Sequence, residues 1–480
     1  MVAGRRHRRP RRRKRDRQAA AGTHISSLPD DILLQIFLRL PSLATLVRAG
    51  CTCRAWRRAV ASSPDFRRRF RALHPAPPML GLFFNTAEWC HHPCVPTFAP
   101  VRLRDRDLAS AVRGGDFFLT SLHEHPNKNH ILDCRGGFVL LWYYADVDDW
   151  DSEMFIVYNP LMQATRQHDQ QVSCIARGHS FACSTYEYAD ELKARLVFSK
   201  EDPARFRIVI LGFGEDDDVR TRVCAMVFSS ETGEWSDLPW AFVPKTSDSD
   251  DDGGANFVCL EDGTMQANGS LYWLQADERQ LVSLDTATME FSFEELPLSM
   301  GDDYTYDAGE TKEGNTCIVY SDRSSIGVLM HTRDSDGVER WVLDRLVPMD
   351  SELERVMRSD CCENCVQPGD VPTEVFVFAV RDGYAYLSTS AMSDDPRKPC
   401  WFMSLCLETM SLEKLFQRTY DCDAHPYIMS WPPCLAGMPM VLRWVLDREV
   451  NLDKQLQKVI QGKLDDDSLL IDLVADPTPS

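Results

Sequence analysis

The organisation of this chain is decided near its start, by the stretch Leu28-Pro29-Asp30-Asp31-Ile32-Leu33-Leu34-Gln35-Ile36-Phe37-Leu38-Arg39-Leu40-Pro41. Pro29 fits the first turn of a helix, where its missing N–H costs nothing, and Pro41 ends the helix. One apolar stripe at helical spacing is formed by Ile32, Leu33, Ile36, Phe37 and Leu40. Leu34 and Leu38 lie off this stripe and predict a second apolar face. Because so short a helix is unstable alone, we expect it to pack against its neighbours and against a further partner.

Two more short helices are expected directly after this one. Ser42 can cap the first of them, and the second, over residues 50–60, places Trp56 and Val60 one turn apart. The chain then restarts at Pro64-Asp65-Phe66. These features predict a small packing unit of three helices.

Residues 25 to about 70 resemble an F-box, and the matching elements are Leu28-Pro29, Leu40-Pro41, Cys51 to Trp56-Arg57, and Pro64-Asp65-Phe66. Thr52 stands where the family usually has Val and Arg54 replaces a Lys, but neither change removes apolar surface. The resemblance implies docking to a Skp-type adaptor and, through it, to a cullin-based ubiquitin ligase. It also implies that the adaptor interface is formed or supported by Leu28, Pro29, Ile32, Ile36, Pro41 and Trp56. An ordinary three-helix packing unit is the alternative.

The length of the chain, 480 residues, calls for a second domain of roughly 350 residues after so small a unit. No apolar run approaches the ~20 residues that span a membrane, and no apolar region follows the basic N-terminus as in a signal peptide. The 17 Cys are scattered rather than spaced as a disulfide framework. We therefore expect an intracellular protein with reduced thiols and no membrane partner.

Charge is strongly segregated along the chain, whose formal net charge is −19. Residues 1–20 hold nine Arg and one Lys against one Asp, so the rest of the chain is markedly acidic. The run at 5–15 has nothing apolar to bury and predicts a disordered leader over residues 1–24. This leader is either an import signal or inert, so we expect the protein in the nucleus, the cytoplasm or both. The acidic body opposes phosphate and argues against nucleic acid as a partner.

After residue 72 the pattern changes from helical to extended. Short runs rich in aromatic and β-branched residues alternate with turns, which indicates an all-β domain. The predicted strands are 80–84, 136–143, 155–158, 206–213, 222–228, 269–274, 281–285, 317–320, 326–330, 374–380, 385–388 and 401–405.

A weak repeat of roughly 45–60 residues runs through these strands, as a β-propeller requires. Each unit closes with a polar turn and an aromatic or apolar residue, as at Tyr158-Asn159-Pro160 and at Glu231 to Trp235. These units resemble the F-box-associated domains of plant F-box proteins, with further matching pieces at 269–274, 338–343 and 426–433. The likeness covers about 75–435 and implies a kelch-like propeller, for which six to eight blades fit the length.

Three segments carry residues typical of metal sites. Asp248 to Gly253 copies the start of a calcium loop, but Cys259 stands where such a loop needs Glu, which favours a solvated acidic loop. Cys90 to Cys94 and Cys361 to Cys365 lie far apart in the chain and lack the paired spacing of zinc ligands. We therefore expect no metal and no other cofactor.

The turn at 229–235 resembles a sialidase Asp-box, but Glu231 stands in place of the acid. We interpret it as a blade turn with a buried Trp235. The acidic residues of the chain cluster on predicted loops, where a carboxylate keeps an ordinary pKa, so no catalytic residue is assigned.

The sequence thus predicts an α+β multidomain protein, with a small N-terminal three-helix F-box followed by an all-β propeller-like domain. The expected boundaries are a basic leader at 1–24, the F-box at 25–71, the F-box-associated propeller at 72–435, and a closing segment with an acidic tail at 436–480. The predicted function is substrate recognition in a Skp–cullin–F-box ubiquitin ligase, with the chemistry left to partner subunits. The alternatives are a propeller scaffold that does not act through a ligase and an enzyme of propeller fold.

Overall fold

The computed structural model describes residues 28–74, 79–85, 96–101, 106–122, 129–143, 154–161, 172–176, 194–198, 205–215, 221–244, 264–274, 279–301, 303–333, 336–358, 372–390, 399–419 and 423–429. Within these ranges the chain forms a small helical unit followed by a six-bladed β-propeller. Across the same ranges, no helix combines the length and apolar character that crossing a membrane requires.

The helical unit contains four short helices instead of three, which are α1 (Asp30–Phe37), α2 (Leu43–Thr52), α3 (Arg54–Ala61) and α4 (Pro64–Leu73). The fourth helix begins at Pro64, and the Ser63 hydroxyl before it accepts a hydrogen bond from the Phe66 amide at 3.2 Å. Ser42 caps α2 in the same way, accepting from the Thr45 amide at 3.2 Å. Each cap gives an acceptor to an amide that its helix leaves unpaired, so consecutive helices can follow one another closely.

The four helices share one apolar core. Phe37 and Trp56 lie at its centre, with ring centroids 5.5 Å apart and an edge-to-face angle of 72°. Such an aromatic pair adds about 0.5–1.5 kcal/mol to the effect of burial itself. The other buried members are Leu33, Leu38, Leu40, Leu46, Ala49, Ala59, Val60, Phe66 and Phe70. The unit therefore has a core of its own.

Six antiparallel sheets form the propeller, and each sheet is one blade. Blade 1 holds β1 (Met79–Phe84), β2 (Thr97–Pro100) and β24 (Ala424–Ile428). Blade 2 holds β3 (Asn129–Arg135), β4 (Phe138–Tyr143), β5 (Met154–Tyr158) and β6 (Val172–Ala176). Blade 3 holds β7 (Ala194–Phe198), β8 (Phe206–Glu215), β9 (Thr221–Ser229), β10 (Glu234–Asp237) and β11 (Ala241–Phe242).

The second half of the ring has four strands in each blade. Blade 4 holds β12 (Met265–Ala267), β13 (Ser270–Leu274), β14 (Gln280–Asp285) and β15 (Glu290–Glu295). Blade 5 holds β16 (Thr305–Glu310), β17 (Thr316–Ser321), β18 (Ser325–Arg333) and β19 (Glu339–Pro348). Blade 6 holds β20 (Phe376–Arg381), β21 (Tyr384–Ser388), β22 (Cys400–Cys406) and β23 (Ser411–Arg418).

Short helical segments lie between some of the blades. Between blades 1 and 2 these are α5 (Arg106–Gly114) and a 3-10 turn (Thr120–Leu122), and between blades 5 and 6 it is α6 (Asp350–Arg358). Within the blades, tight turns connect consecutive strands. In blade 2, Gly136 and Gly137 join β3 to β4 with φ of +59° and +77°. Two consecutive positive φ values suit the twist of a two-residue hairpin, and glycine adopts them without strain.

The innermost strands of the blades line a central channel, and they are β24, β3, β7, β12, β16 and β20. Blade 1 combines both parts of the chain, because β24 pairs antiparallel with β1, setting Leu82 opposite Pro426 and Phe84 opposite Ala424. This pairing closes the ring and removes two free sheet edges. Closure thus occurs before residues 436–480, the segment that the sequence analysis assigned to it and that lies outside the described residues. Strand β24 is short and contains a proline, which is unfavourable inside a strand, so its sequence pattern predicts a strand only weakly.

The all-β expectation is confirmed for the body of the chain, with six blades at the lower end of the expected range. Each of the twelve predicted strands coincides with an observed strand, and the ends differ by a few residues. The large fully buried side chains of the blades include Phe83, Phe84, Phe155, Tyr158, Trp273, Phe402 and Tyr427. They pack between neighbouring sheets and hold the ring together.

Candidate protein-interaction surfaces

Helix α1 leaves one apolar face outside the core of the helical unit. Ile32 is 45% exposed, which makes it the most exposed large apolar side chain of this helix. Ile36 stands one turn after it and is half-buried against the core. Residues at i and i+4 of a helix share a face, so Ile32 and Ile36 form an apolar strip, which we call the α1 strip. Leu28 is also half-buried against the core, but it precedes the helix, whose N-cap is Pro29.

The six residues predicted for adaptor docking fall into three environments. Pro29 and Pro41 are exposed at the two ends of α1, and Ile32 is exposed between them. Leu28 and Ile36 are half-buried, whereas Trp56 is only 3% exposed at the centre of the core. Trp56 is therefore not one of the apolar residues left over after folding, because its ring is used against Phe37. The structure gives it a supporting position.

The expected second apolar face of α1 is not left open. Leu38 is buried and Leu34 is half-buried, and both belong to the core of the helical unit. The open surface lies instead along the α1 strip.

The channel of the propeller carries charged side chains on otherwise apolar inner strands. Arg195 of β7 joins three blades, since its Nη1 donates to the Leu132 carbonyl at 2.8 Å and its Nε to the Thr264 carbonyl at 2.7 Å. Asp133 of β3 accepts a hydrogen bond from the Leu196 amide at 2.9 Å. Each contact links the inner strand of one blade to that of its neighbour.

A second group of charges lies between blades 5 and 6. Asp307 Oδ2 accepts from the Val380 amide and from Arg381 Nη1, both at 2.8 Å. Burial lowers the pKa of Arg381, but Asp307 and the nearby Asp133 and Glu310 outweigh that effect and leave the pKa raised. Arg381 therefore stays charged and paired.

Arg135 of β3 reaches across the channel to blade 4, where its Nη2 donates to the Gln266 carbonyl at 2.9 Å. Burial, and then the neighbouring positive charge of Arg381, lower the pKa of Arg135 to about 10. It remains protonated at neutral pH. The arginines and carboxylates of the channel thus link blades 2, 3 and 4 to one another and blade 5 to blade 6.

The ring closure has its own polar centre beside β1. The Asn85 side chain exchanges two hydrogen bonds of 2.9 Å with the backbone of Ile131, and its Nδ2 lies 3.0 Å from His130 Nε2 and 3.3 Å from His425 Nε2. Burial lowers the pKa of His425 to about 4, so this ring is neutral at pH 7. Asn85 thus holds β1, β3 and β24 together where the two parts of the chain meet.

These channel residues were not predicted from the sequence. A usable signal was present, because charged residues interrupt apolar runs at 129–135, 194–198, 305–310 and 376–381. In the structure these interruptions mark the strands that face the channel. Most of these charges bond to backbone groups of neighbouring blades, which is the arrangement expected of groups that hold a fold together.

The motifs considered as metal sites fall outside the structural description. Residues 86–95, 245–263 and 359–371 hold the cysteine clusters and the acidic loop, and none of them is among the described residues. Within the described ranges, no three His, Cys, Asp or Glu side chains are grouped so that they could hold a metal ion. The turn at 229–235 does join two strands, β9 and β10, but Trp235 is half-buried and packs on Phe155 and Phe228.

Residues 25–72 match the F-box-like family, which covers the helical unit and the α1 strip. The chain therefore carries an F-box-like domain at its N-terminus, followed by a six-bladed propeller. This is the domain organisation of an F-box substrate adaptor, and F-box proteins are typically non-catalytic. No curated protein matches the chain.

Solved structures show only weak similarity. A protein of unknown function from Bacteroides thetaiotaomicron is 12% identical, with a TM-score of 0.30, over 62% of this chain and 61% of its own length. A quinonprotein alcohol dehydrogenase-like protein from the same organism is 8% identical, with a TM-score of 0.33, over 74% and 79%. The β-propeller domain of Cps50 (Swd1) from Myceliophteria thermophila is 11% identical, with a TM-score of 0.29, over 61% and 86%. These values assign no activity to the chain.

Proposed function

We propose that this chain is the substrate-recognition subunit of a Skp–cullin–F-box ubiquitin ligase. In this proposal the F-box-like domain docks on a Skp-type adaptor, which connects it to the cullin. The propeller holds a protein substrate for ubiquitin transfer, and the chemistry belongs to the partner subunits.

The observation that carries the proposal is the α1 strip on an F-box-like domain. Ile32 is exposed to solvent, whereas the other apolar residues of its helix pack in or against the core. An exposed apolar residue flanked by half-buried ones is the arrangement of a docking surface, because the partner completes their burial. Pro29 and Pro41, exposed at either end of α1, frame this strip with rigid backbone.

A binding role for the propeller is supported by the state of its polar groups. Asp133, Asp307 and Arg195 are hydrogen-bonded to the backbone of neighbouring blades. Groups held in this way contribute rigidity, and a rigid ring presents its surface loops in fixed positions. We assign the propeller to the kelch-like F-box-associated class of plant F-box proteins and place the protein in the nucleus, the cytoplasm or both.

The test begins with the adaptor. Purified full-length chain and a Skp-type adaptor should form a one-to-one complex in size-exclusion chromatography, and a chain lacking residues 25–72 should not. Absence of a complex with the full-length chain would leave the scaffold function as the better explanation.

The second arm concerns the substrate. Proteins retained in cells by the chain lacking residues 25–72 should include species that gain ubiquitin when the full-length chain is supplied with adaptor and cullin. Retained proteins that never gain ubiquitin would contradict the ligase role while leaving propeller binding intact.

A further inference from the structure

The helical unit carries a charge opposite in sign to that of the rest of the chain. Residues 28–74 contain nine Arg and three Asp with no Lys or Glu, which gives a formal charge of +6. Residues 1–27 contain nine Arg and one Lys against one Asp, which gives +9. Since the whole chain carries −19, the remaining 406 residues carry −34. Positive charge is therefore concentrated in the part of the chain that precedes the propeller.

Helix α3 directs its arginines away from the core. Its inner side is formed around Trp56 and Val60, which are 3% and 0% exposed. Arg54 and Arg58 are exposed, and Arg57 is half-buried. Residues at i, i+3 and i+4 of a helix share a face, so these three arginines form one basic row on the outer side of α3.

Helix α4 extends this basic surface. Arg67 Nη1 donates a hydrogen bond to the carbonyl of Ala61, the last residue of α3. This contact places the Arg67 guanidinium at the end of α3 that carries Arg58. We call the surface formed by Arg54, Arg57, Arg58 and Arg67 the α3–α4 basic face.

The row of arginines on α3 lacks counter-charges. Helices α3 and α4 contain one acidic residue between them, Asp65. Among the described residues, no carboxylate pairs with Arg54, Arg57 or Arg58. Exposed arginines of the propeller can be paired instead, as Arg279 is with Glu295 at 2.7 Å. Like charges one helical turn apart repel each other, so an anionic partner would relieve an unfavourable interaction within α3.

The residue types of the basic face indicate the class of partner. All its positive side chains are arginines, whose planar guanidinium binds phosphate oxygens through two parallel hydrogen bonds. The aromatic residues of α3 and α4 are buried in the core, and Leu73, at the end of α4, is 61% exposed. One leucine does not make the apolar centre of a protein interface or the apolar face that enters a membrane surface. A phosphate backbone requires only positive charge, because counterion release supplies the affinity.

The acidic body limits this binding without excluding it. The prediction against a nucleic-acid partner rested on the negative charge of that body. At physiological salt, the field of an exposed charge is largely screened beyond about 8 Å. The arginines of the face act within this distance on any anion that they contact. The negative body should therefore lower the affinity and leave the site in place.

We propose that the α3–α4 basic face binds nucleic acid through its phosphate backbone, with little preference for base sequence. This binding goes beyond adaptor docking, which is assigned to the α1 strip on another helix. The two activities can therefore be tested separately.

Fluorescence anisotropy of labelled duplexes of about 20 base pairs, one of DNA and one of RNA, measures the binding. In the full-length chain, the triple variant with Arg54→Gln, Arg57→Gln and Arg58→Gln should raise the dissociation constant at least about tenfold. The slope of the logarithm of affinity against the logarithm of salt concentration should fall by about 2–3, because each phosphate contact contributes about 0.9. The loss should be the same for duplexes of different sequence.

The matched control removes the same number of charges from the propeller. Arg205→Gln, Arg279→Gln and Arg333→Gln together break three exposed ion pairs and should change the dissociation constant less than about twofold. Hydrogen exchange of the α1 to α3 amides should be the same in both triple variants and in the parent, which shows that the helical unit stays folded. Equal losses of affinity in the two triple variants would reduce the effect to net charge and overturn the proposal.

The leader is tested in the same assay, because its charge of +9 also attracts phosphate. A chain that lacks residues 1–24 should bind more weakly than the parent but remain sensitive to the α3 triple variant. If that shortened chain binds no duplex, the leader alone is the binding segment and the proposal fails. Binding of phosphatidylserine vesicles or of polyglutamate, with no binding of either duplex, would assign the face to a membrane or to an acidic protein and would also overturn it.

Discussion

His331 Nε2 lies 3.3 Å from Glu294 Oε2, so a histidine of blade 5 forms an ion pair with the outer strand of blade 4. The same carboxylate oxygen accepts a hydrogen bond from Trp341 Nε1 at 2.6 Å, and the rings of His331 and Trp341 stack 4.8 Å apart. The contact with Glu294 raises the pKa of His331 despite its burial. Burial would raise the pKa of Glu294, but His331 and Trp341 outweigh it and lower the pKa.

This pair predicts a pH dependence of stability. The contribution of His331 is present below its ordinary pKa of 6.5 and is lost as pH rises through the raised folded-state value. The contribution of Glu294 is present above its ordinary pKa of 4.5 and is lost as pH falls through the lowered value. Glu294→Gln should therefore reduce the free energy of unfolding by about 1 kcal/mol more at about pH 5.5 than at about pH 8.5.

Urea denaturation at the two pH values measures this difference. The control is Glu295→Gln, which removes the exposed pair with Arg279. Because this pair contains no histidine, the control should show no such change. An equal effect of Glu294→Gln at both pH values would exclude His331 as the charged partner.

The α1 strip predicts a specific loss of adaptor binding. Ile32→Asp places an unpaired carboxylate in an apolar interface and should weaken binding of the Skp-type adaptor by at least about 2 kcal/mol. Leu73→Asp is the control, since Leu73 is 61% exposed on α4 of the same unit and lies outside the strip. Calorimetric titration measures both variants. If the two variants bound the adaptor with equal affinity, the docking face would not include Ile32.

Trp56 predicts a loss of folding in the helical unit. Trp56→Ala removes a side chain that is 3% exposed and packed on Phe37, and should destabilise the unit by about 3–5 kcal/mol. Hydrogen exchange of the α1 to α3 amides in the full-length chain should become fast, with Arg58→Ala on the exposed side of α3 as control. Lost adaptor binding with unchanged exchange would assign Trp56 to the interface itself.

The buried ion pair of the channel predicts that replacing one carboxylate by a neutral amide lowers the stability of the propeller. Asp307→Asn keeps the shape of the side chain but removes the charge opposite Arg381, and should cost about 2 kcal/mol of unfolding free energy. Glu231→Gln, which breaks the exposed pair with Arg205, should have no measurable effect. Thermal unfolding compares the two variants. Equal stability would show that the Val380 amide alone satisfies residue 307.

The basic leader predicts a change in location. Residues 1–27 lie outside the described residues, so this prediction rests on composition. Deleting residues 5–17 should reduce nuclear accumulation of a tagged chain without changing its affinity for the adaptor, because the leader precedes both folded parts. A tagged deletion with the same distribution as the parent would assign the leader no import role.

The sequence was most informative where an element carries a regular or continuous apolar pattern. The helix at 30–37 was predicted from its apolar stripe and the strands at 138–143 and 270–274 from runs of apolar residues, and all three were found. The inner strand β20 was predicted, but β3 and β16 were missed, because Asp133 and Asp307 interrupt their apolar patterns. Those residues face the channel, where a polar side chain is satisfied by neighbouring blades that the sequence does not place together.

The docking surface was predicted only in outline. Spacing placed Ile32 and Ile36 on one stripe with Leu33 and Phe37, but it could not tell which edge of the stripe stays outside. That choice depends on the packing of Trp56 against Phe37, which is a tertiary contact.

The pairing of β24 with β1 also sets an order of events during translation. Strand β1 leaves the ribosome long before β24, and until then Leu82 and Phe84 face no inner strand. A nascent chain that stops anywhere before Ala424 therefore keeps an open apolar edge, which chaperones and proteases recognise. The edge of β1 is therefore covered only after the last strand has been synthesised, so a truncated chain exposes a site that quality-control proteins can bind.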